Sequence, residues 1–335
     1  MARATGRPGN LPAEATSFVG RRRELAEVRA LLSAARVVSV VGPGRVGKTR
    51  QAVRAAADLA RGFPDGAWLV SLAEVRDPAL VDTAAADALT LQHRAPDGTR
   101  ALLRSYLADK QMLLVLDNCE HVLDAAAGLV SSLVEAAPGV RVLATSREPL
   151  SVSGEHVLPL PPLDLPPVGT EEPLNRIGQN EAVMLLTQRA AAASGEFRLT
   201  EANRAAVVGL CRRLDGLPLA IELAAVRTRV LSVEQILAHL TDRFALLTSG
   251  SRAALPRQQT LRTAIDWSHD LLDADERTML RRLGVFAAQF TLEDVQGVCV
   301  GEDLPAARVL DVLSSLVDKS LVMTELAGPV ASYRL

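Results

Sequence analysis

A glycine-rich stretch constrains what this chain can fold into more than any other feature, and it reads Gly42-Pro43-Gly44-Arg45-Val46-Gly47-Lys48-Thr49. It follows an apolar run at residues 37–41 and precedes a helical pattern, which is the strand-loop-helix context of a Walker A loop. Glycines let the backbone approach phosphate closely, and the N–H groups at a helix N-terminus attract an anion. The stretch therefore predicts a nucleoside triphosphate site.

Two residues of this stretch carry most of the predicted chemistry. Lys48 is expected to reach the β- and γ-phosphates of a nucleotide, and the Thr49 hydroxyl is expected to coordinate Mg2+, which prefers oxygen ligands. We assign residues 42–49 and the adjacent Arg50 to the nucleotide-binding site. A glycine turn without a ligand is the alternative, but a chance match to the pattern is on the order of one in a thousand.

Apolar runs alternate with helical patterns through the first half of the chain. The runs are bounded by turn signals and fall at residues 37–41, 68–72, 112–116, 140–144 and 156–160. Runs such as VVSVV and MLLVL are apolar throughout, which is typical of parallel strands buried on both faces. The pattern predicts an α/β fold with a parallel sheet over residues 17–165, preceded by a mobile tail at residues 1–16.

The segment from residue 158 to residue 173 contains too many prolines for a helix or a central strand. We expect the main domain boundary here, with a linker at residues 166–173. Beyond it, a helical domain is predicted over residues 174–249 from helical patterns at 180–193, 201–214, 217–226 and 233–247.

A third unit is predicted over residues 250–335. Its helical patterns fall at residues 260–271, 274–284, 292–298 and 306–319, and short extended runs follow at 321–324 and 332–335. Helices followed by a small hairpin predict a winged-helix-like domain.

A second nucleotide-site element is the apolar run from Met112 to Leu116, which ends in Asp117. This pattern is typical of a Walker B strand, so Asp117 is expected to hold Mg2+ together with Thr49. Glu120 lies close enough in sequence to orient an attacking water. The alternative, which we weigh equally, is that Asn118 and Glu120 only start the helix that follows.

The run at residues 140–144 ends in Thr145-Ser146-Arg147. This places Arg147 at the carboxyl edge of the predicted sheet, where open α/β folds bind ligands. Arginine can bond phosphate with two N–H groups, so Arg147 is a candidate sensor of the γ-phosphate. A surface ion pair is an equally good interpretation of the spacing.

Composition gives no general attraction to polyanions. The chain has 37 basic and 39 acidic side chains, a net charge of -2, and residues 250–335 carry nine basic and twelve acidic residues. A nucleic acid or an anionic membrane therefore needs local evidence as a partner. The three cysteines lack metal or disulfide spacing, and no apolar stretch is long enough to cross a bilayer, so we expect a cytoplasmic protein without a membrane partner.

The ordered set of motifs is similar to that of the signal-transduction ATPases with numerous domains, and within them it resembles the NB-ARC type of actinobacterial transcriptional regulators. The resemblance covers residues 17–335. Besides the Walker elements and Thr145-Ser146-Arg147, it depends on two segments, Ser17-Phe18-Val19-Gly20-Arg21 and Gly216-Leu217-Pro218-Leu219-Ala220.

The resemblance implies roles for residues that spacing alone does not assign. It implies that Phe18, Val19, Gly20 and Arg21 lie near the adenine, that Pro218 packs against the base, and that Arg147 senses phosphate. It also implies a clamp of three domains that closes over ADP. Arg45 and Asn118 depart from the family pattern, which predicts slow ATP hydrolysis. Relatives of this type continue into a repeat-containing sensor region after the position of Leu335.

Three functions follow as hypotheses. The first is an ATP/ADP-controlled signalling switch that regulates transcription, with self-assembly on activation as a possible outcome and with DNA contacted through another domain or partner. The second is a continuously cycling ATPase that remodels a partner, with Lys48, Asp117, Glu120 and Arg147 as catalytic residues. The third is direct DNA binding by the winged helix, which the acidic balance of residues 250–335 disfavours.

Overall fold

The structure is a computed structural model. It describes residues 8–14, 16–92, 98–167, 172–240, 269, 272–286, 289–319, 321–325 and 331–335.

A five-stranded parallel sheet forms the first half of the chain, in the order β2-β3-β4-β1-β5. Its strands are β1 (Val37–Val41), β2 (Ala67–Ser71), β3 (Leu113–Asp117), β4 (Arg141–Ser146) and β5 (Glu155–Pro159). All five residues of β1 and all five of β3 are buried, as the apolar runs predicted. The predicted α/β fold is confirmed, and each strand lies within one or two residues of its predicted position.

Helices cover both faces of this sheet. One face packs against α1 (Arg22–Ala34) and α2 (Lys48–Leu59), and the other packs against α3 (Val81–Ala88), α4 (Thr99–Leu107) and α5 (Leu123–Ala136). Alternate residues of β3 serve the two faces: Leu114 and Leu116 belong to the core beneath α3–α5, while Leu113 and Val115 belong to the core beneath α1 and α2.

Residues 8–14 correct the prediction of a mobile tail. Gly9 forms a parallel bridge with Ala67, and the Asn10 side chain exchanges two hydrogen bonds with the backbone of Leu69, at 2.9 and 2.6 Å. Leu11 packs against the core beneath α1 and α2. The segment covers the exposed edge of β2, where unpaired backbone groups otherwise remain. Residues 1–7 lie outside the described residues.

The second part of the chain is helical. It contains α6 (Leu174–Gln179), α7 (Glu181–Ser194), α8 (Arg204–Arg213), α9 (Pro218–Arg227) and α10 (Val233–His239), which share one apolar core. The Asn180 side chain caps α7, and Ser232 and Gln235 form a capping box on α10. The predicted continuation of the last helix beyond Leu240 lies outside the described residues. Domain boundaries remain predictions.

The C-terminal part is a winged helix. Its helices are α11 (Ala274–Leu283), α12 (Leu292–Cys299) and α13 (Ala306–Asp318), and its antiparallel sheet has the order β6-β8-β7, with β6 (Phe290–Thr291), β7 (Met323–Glu325) and β8 (Ser332–Arg334). Stacked rings of Phe286, Phe290 and Tyr333 join the sheet to the core. The predicted helix at residues 260–271 lies outside the described residues, except for His269.

The winged helix contains an ion pair between the buried Glu276 and the partly exposed Lys319. The Glu276 carboxylate is 2% exposed and accepts hydrogen bonds from Lys319 Nζ at 2.6 and 2.8 Å and from Ser315 Oγ at 2.5 Å. It also caps α11 by accepting from the backbone N–H of Asp273. Within the described parts of the chain, no helix is both long and apolar enough to cross a membrane.

Candidate nucleotide-binding site

The glycine-rich loop connects the buried strand β1 to helix α2. A Cβ atom on Gly42 would lie 2.6 Å from the carbonyl oxygen of Leu160, so only glycine fits there. Gly47 caps α2 with φ 103°, and Arg45 also has a positive φ of 72°. Left-handed residues in a turn direct successive N–H groups toward one concave side, which is the geometry that binds anions. The stretch therefore lies between a strand and a helix, as the motif predicted, and its binding of phosphate stays a prediction.

Lys48 is the first residue of α2 and is 9% exposed. Its Nζ donates hydrogen bonds to the carbonyl oxygens of Gly42 at 2.7 Å and Pro43 at 3.1 Å. Burial lowers the pKa of Lys48 to about 8, although the Glu120 carboxylate acts in the opposite direction. An anion near this amine would raise its pKa again.

Thr49 and Asp117, the predicted metal ligands, are in direct contact. Asp117 Oδ1 accepts hydrogen bonds from Thr49 Oγ1 and from Thr145 Oγ1, both at 2.6 Å. Burial raises the pKa of Asp117 despite these two hydroxyl donors. These contacts join α2, β3 and β4 at the carboxyl edge of the sheet. Thr145 was missed as a site residue, although its position one strand from Asp117 could have indicated it.

Arg147 and Glu120 form a buried ion pair, with Arg147 Nε 3.4 Å from Glu120 Oε1 and side-chain exposures of 4% and 5%. The alternative interpretation of Arg147 predicted an ion pair at the surface. The ion pair is present, but it is buried. Burial lowers the pKa of Arg147, and the neighbouring Glu120 opposes this shift. Glu120 Oε2 is buried and has no hydrogen-bond partner among the described residues.

The turn after β3 contains both Asn118 and Glu120. Asn118 has φ 68°, Cys119–His121 form one 3-10 turn, and α5 begins only at Leu123. Asn118 and Glu120 therefore lie in the turn that leads into α5, and both interpretations of these two residues stay predictions. The turn is held by the Asn118 backbone N–H, which donates to Thr145 Oγ1 at 3.0 Å.

The segment before α1 connects the glycine-rich loop to the helical part. One Arg21 guanidinium N–H donates to the carbonyl oxygen of Val46 at 3.1 Å, and the Arg21 backbone N–H donates to Glu181 Oε1 at 2.6 Å. Burial lowers the pKa of Arg21 and raises the pKa of Glu181. Gly20, at φ 71°, lets the chain pass against Glu181, because a Cβ there would lie 2.6 Å from the carboxyl carbon.

The remaining predicted site residues lie partly in the sheet part of the chain and partly in the helical part. Phe18 packs against the core beneath α1 and α2, and Val19 packs against the helical core. The Arg50 side chain contacts Thr16, Ser17 and Glu222. Pro218 is the first residue of α9, and the backbone just before it is fixed by the Leu163 N–H, which donates to the Gly216 carbonyl at 3.0 Å.

These residues fit a nucleoside triphosphate with Mg2+. Thr49 and Asp117 supply hard oxygen atoms, and Lys48 and Arg147 supply positive charge. Glu120 contributes a buried oxygen that has no hydrogen-bond partner within the described part of the chain. In the described part of the chain, no group of three or more His, Cys, Asp or Glu side chains could hold a metal. A cation site would therefore depend on the phosphate oxygens as well as on the protein.

Solved structures with a similar fold include P-loop ATPases. The chain is similar to the Walker-type ATPase PABY2304 of Pyrococcus abyssi, with a TM-score of 0.56, 13% identity, and coverage of 95% of this chain and 93% of that one. It is also similar to the ORC2 protein of Aeropyrum pernix, solved as ADPNP-ADP complexes, with a TM-score of 0.51, 14% identity, and coverage of 96% and 92%. The fold is that of a P-loop ATPase followed by a helical region and a winged helix.

A family model described as a winged helix-turn-helix domain matches residues 272–335. The uncharacterized protein Rv0894 of Mycobacterium tuberculosis is 40% identical over 321 residues, which is 96% of this chain and 78% of that protein. The chain therefore belongs to the family of Rv0894.

Two longer relatives bear the names of regulators. The putative HTH-type transcriptional regulator Rv0890c of M. tuberculosis is 43% identical over 308 residues, which is 92% of this chain and 33% of the regulator. The regulatory protein AfsR of Streptomyces coelicolor is 32% identical over 98% of this chain and 32% of its own length. The chain thus spans about a third of these relatives.

Proposed function

We propose that this chain is an ATP/ADP-controlled signalling switch of the NB-ARC type, which closes over ADP, opens when ATP replaces it, and thereby regulates transcription. The observation that carries this proposal is the direct connection between the glycine-rich loop and the helical part, through Arg21, Val46 and Glu181. A ligand shifts a conformational equilibrium only if it binds two states differently. Because the glycine-rich loop contacts the helical part, the two conformations present different surroundings to a nucleotide, and they can therefore bind it with different affinities.

In the proposed site, the loop N–H groups and Lys48 bind the phosphates, and Arg147 reads the γ-phosphate. Thr49 and Asp117 would hold Mg2+, which supplies charge neutralisation to the phosphate oxygens when it is bound. Phe18, Val19, Gly20 and Arg21 would border the adenine, and Pro218 would cover it from α9. Arg147 cannot pair fully with phosphate while it also holds Glu120, so phosphate sensing changes the environment of that carboxylate.

The cycling ATPase is the second candidate, and Glu120 favours it. Its Oε2, for which the described residues offer no hydrogen-bond partner, could orient a water molecule if it were exposed to the site. In the described conformation, however, the carboxylate is buried and its Oε1 faces Arg147. We propose that hydrolysis is slow for this reason. Steady turnover at about 1 to 100 per second, typical of phosphoryl-transfer enzymes, would instead support the cycling enzyme.

Direct DNA binding by the winged helix is disfavoured by charge. On α13, the exposed Arg308 is paired with Asp275 at 3.0 Å, and the exposed Asp311 adds a negative charge. Phosphate contacts need unpaired basic side chains along the binding face. We propose that DNA is reached through another domain or a partner. A gel shift by this chain at moderate salt, without nucleotide, would contradict this part of the proposal.

The first experiment purifies the chain without added nucleotide, releases any ligand with acid, and identifies it by chromatography. We expect stoichiometric ADP in the wild type and none in Lys48→Ala. An empty wild type that binds and turns over ATP rapidly would overturn the switch. The matched control is Lys110→Ala, because Lys110 forms an ion pair with Asp65 and lies outside the proposed nucleotide-binding residues.

A further inference from the structure

Five residues from four segments form one polar network, which we call the clasp: Thr16, Ser17, Arg50, Arg189 and Glu222. Thr16 and Ser17 precede the segment predicted to border the adenine, and Arg50 directly follows Thr49 in α2. Arg189 belongs to α7, and Glu222 lies four residues after Pro218 in α9. The clasp therefore joins the nucleotide-binding helix to the helical part.

Three acceptors in the clasp are shared by the same two arginines: Glu222 Oε1, the carbonyl oxygen of Ser17, and Thr16 Oγ1, which accepts from Arg50 at 3.0 Å and from Arg189 at 3.4 Å. Glu222 Oε1 lies 3.3 Å from Arg50 Nη1 and 2.9 Å from Arg189 Nε. The carbonyl oxygen of Ser17 accepts from Arg50 at 3.0 Å and from Arg189 at 2.8 Å. Loss of the Glu222 charge would leave two guanidinium groups close together without their common anion. The contacts of the clasp are therefore expected to be lost together.

Further contacts fix the geometry of the arginines. Arg50 also donates to the carbonyl oxygen of Thr16 at 3.1 Å, and its guanidinium lies 6.0 Å from the centre of the Phe18 ring. Arg189 also donates to Ser17 Oγ at 3.1 Å, and its side chain is only 13% exposed. A single exposed ion pair contributes little, but arginines held by backbone carbonyls and a shared carboxylate form a defined junction.

We propose that the clasp is the latch that keeps the helical part closed over the nucleotide, with Glu222 as its central residue. This inference rests on the proposed function. Since α9 carries both Pro218 and Glu222, release of Glu222 frees the element that is proposed to cover the base. The open conformation then becomes more populated, and bound ADP dissociates faster.

The test measures dissociation of a fluorescent N-methylanthraniloyl ADP, chased with excess ADP, from the full chain and its variants. We expect Glu222→Gln and Arg189→Gln to accelerate dissociation by about 5- to 100-fold, a range typical of coupling between sites. The control is Arg54→Gln, one turn farther along α2, whose ion pairs with Glu14 and Asp58 do not involve α7 or α9. Its dissociation rate should match the wild type.

A cycle of Arg189→Gln, Glu222→Gln and the double variant tests whether the contacts act together. One latch predicts that the double variant dissociates ADP at about the rate of the faster single variant, whereas independent contacts predict the product of the two effects. Should Glu222→Gln fail to fold, Arg189→Lys keeps the charge but loses the forked contacts, and it should also accelerate release. Unchanged release in folded variants would overturn the latch, while failure of the wild type to bind ADP would instead overturn the proposed function.

Discussion

Thr49 Oγ1 lies 2.6 Å from Asp117 Oδ1, so a residue of the glycine-rich loop and a residue 68 positions later in the chain share one contact. The sheet order explains it, because β4 lies between β1 and β3 and leaves both residues at the same carboxyl edge. Thr145 on β4 fills the space between them and donates to the same carboxylate oxygen.

Thr49→Val should remove the dependence of ATP affinity on Mg2+. The substitution keeps the shape of the side chain but removes a hard oxygen ligand, and we expect the enhancement of ATP binding by Mg2+ to fall at least about tenfold. Titration calorimetry with and without Mg2+ measures the effect. Thr83→Val is the matched control, because the Thr83 hydroxyl on α3 has no hydrogen-bond partner among the described residues. An unchanged Mg2+ effect in Thr49→Val would exclude Thr49 as a ligand.

Nucleotide binding should take up a proton above pH 8. Lys48 has a pKa of about 8 in the described protein, so it is largely neutral at pH 9, and bound phosphate raises its pKa and restores its charge. We expect affinity to fall by up to about one log unit per pH unit above pH 8. Calorimetry in two buffers with different ionisation enthalpies counts the protons. Lys48→Arg stays charged and should show no uptake from this position.

The same pKa affects folding stability. The folded-state value of about 8 lies below the unfolded value of 10.5, so the unfolded chain binds more protons between these pH values. Lys48 should therefore make the free energy of unfolding rise by up to about 3 kcal/mol from pH 8 to pH 10.5. Denaturant titrations without nucleotide compare the wild type with Lys48→Met, which should lack this rise. Parallel pH profiles for the two proteins would contradict the argument.

Lys319→Met should destabilise the winged helix by about 3 to 5 kcal/mol, because it leaves the Glu276 carboxylate buried without its counter-charge. Adding Glu276→Gln removes that charge while keeping an amide oxygen for the cap, so the double variant should regain much of the loss. Amide hydrogen exchange in α11 and α13 reports this part of the chain. Arg308→Met, which breaks the more exposed pair with Asp275, should cost less than about 1 kcal/mol.

Much of the fold and of the candidate phosphate site follows from local sequence patterns. The VVSVV run, the glycine loop and the LVLD run each predict a strand or turn from adjacent residues, and the structure places them accordingly. Contacts between distant segments were not predictable in this way. Three hydrogen-bonded pairs are examples: Asn10 with Leu69, Arg50 with Glu222, and Arg21 with Glu181. The two residues of each pair lie far apart in the sequence, and no periodic pattern relates them. Helical periodicity indicates which face is apolar, but it does not identify the partner of a polar side chain.

Gly20→Ala tests the connection between the loop segment and α7. The backbone of Gly20 has φ 71°, and a Cβ there would lie 2.6 Å from the carboxyl carbon of Glu181. Gly154, at φ 75°, has no atom within 4 Å of such a Cβ, so Gly154→Ala introduces the backbone strain alone and is the matched control. We expect about 1 kcal/mol of destabilisation for Gly154→Ala and a larger loss for Gly20→Ala. Only Gly20→Ala should also weaken ADP binding, because a displaced Glu181 no longer holds Arg21 beside Val46. Equal losses of stability with unchanged ADP affinity would show that Glu181 plays no part in shaping the site.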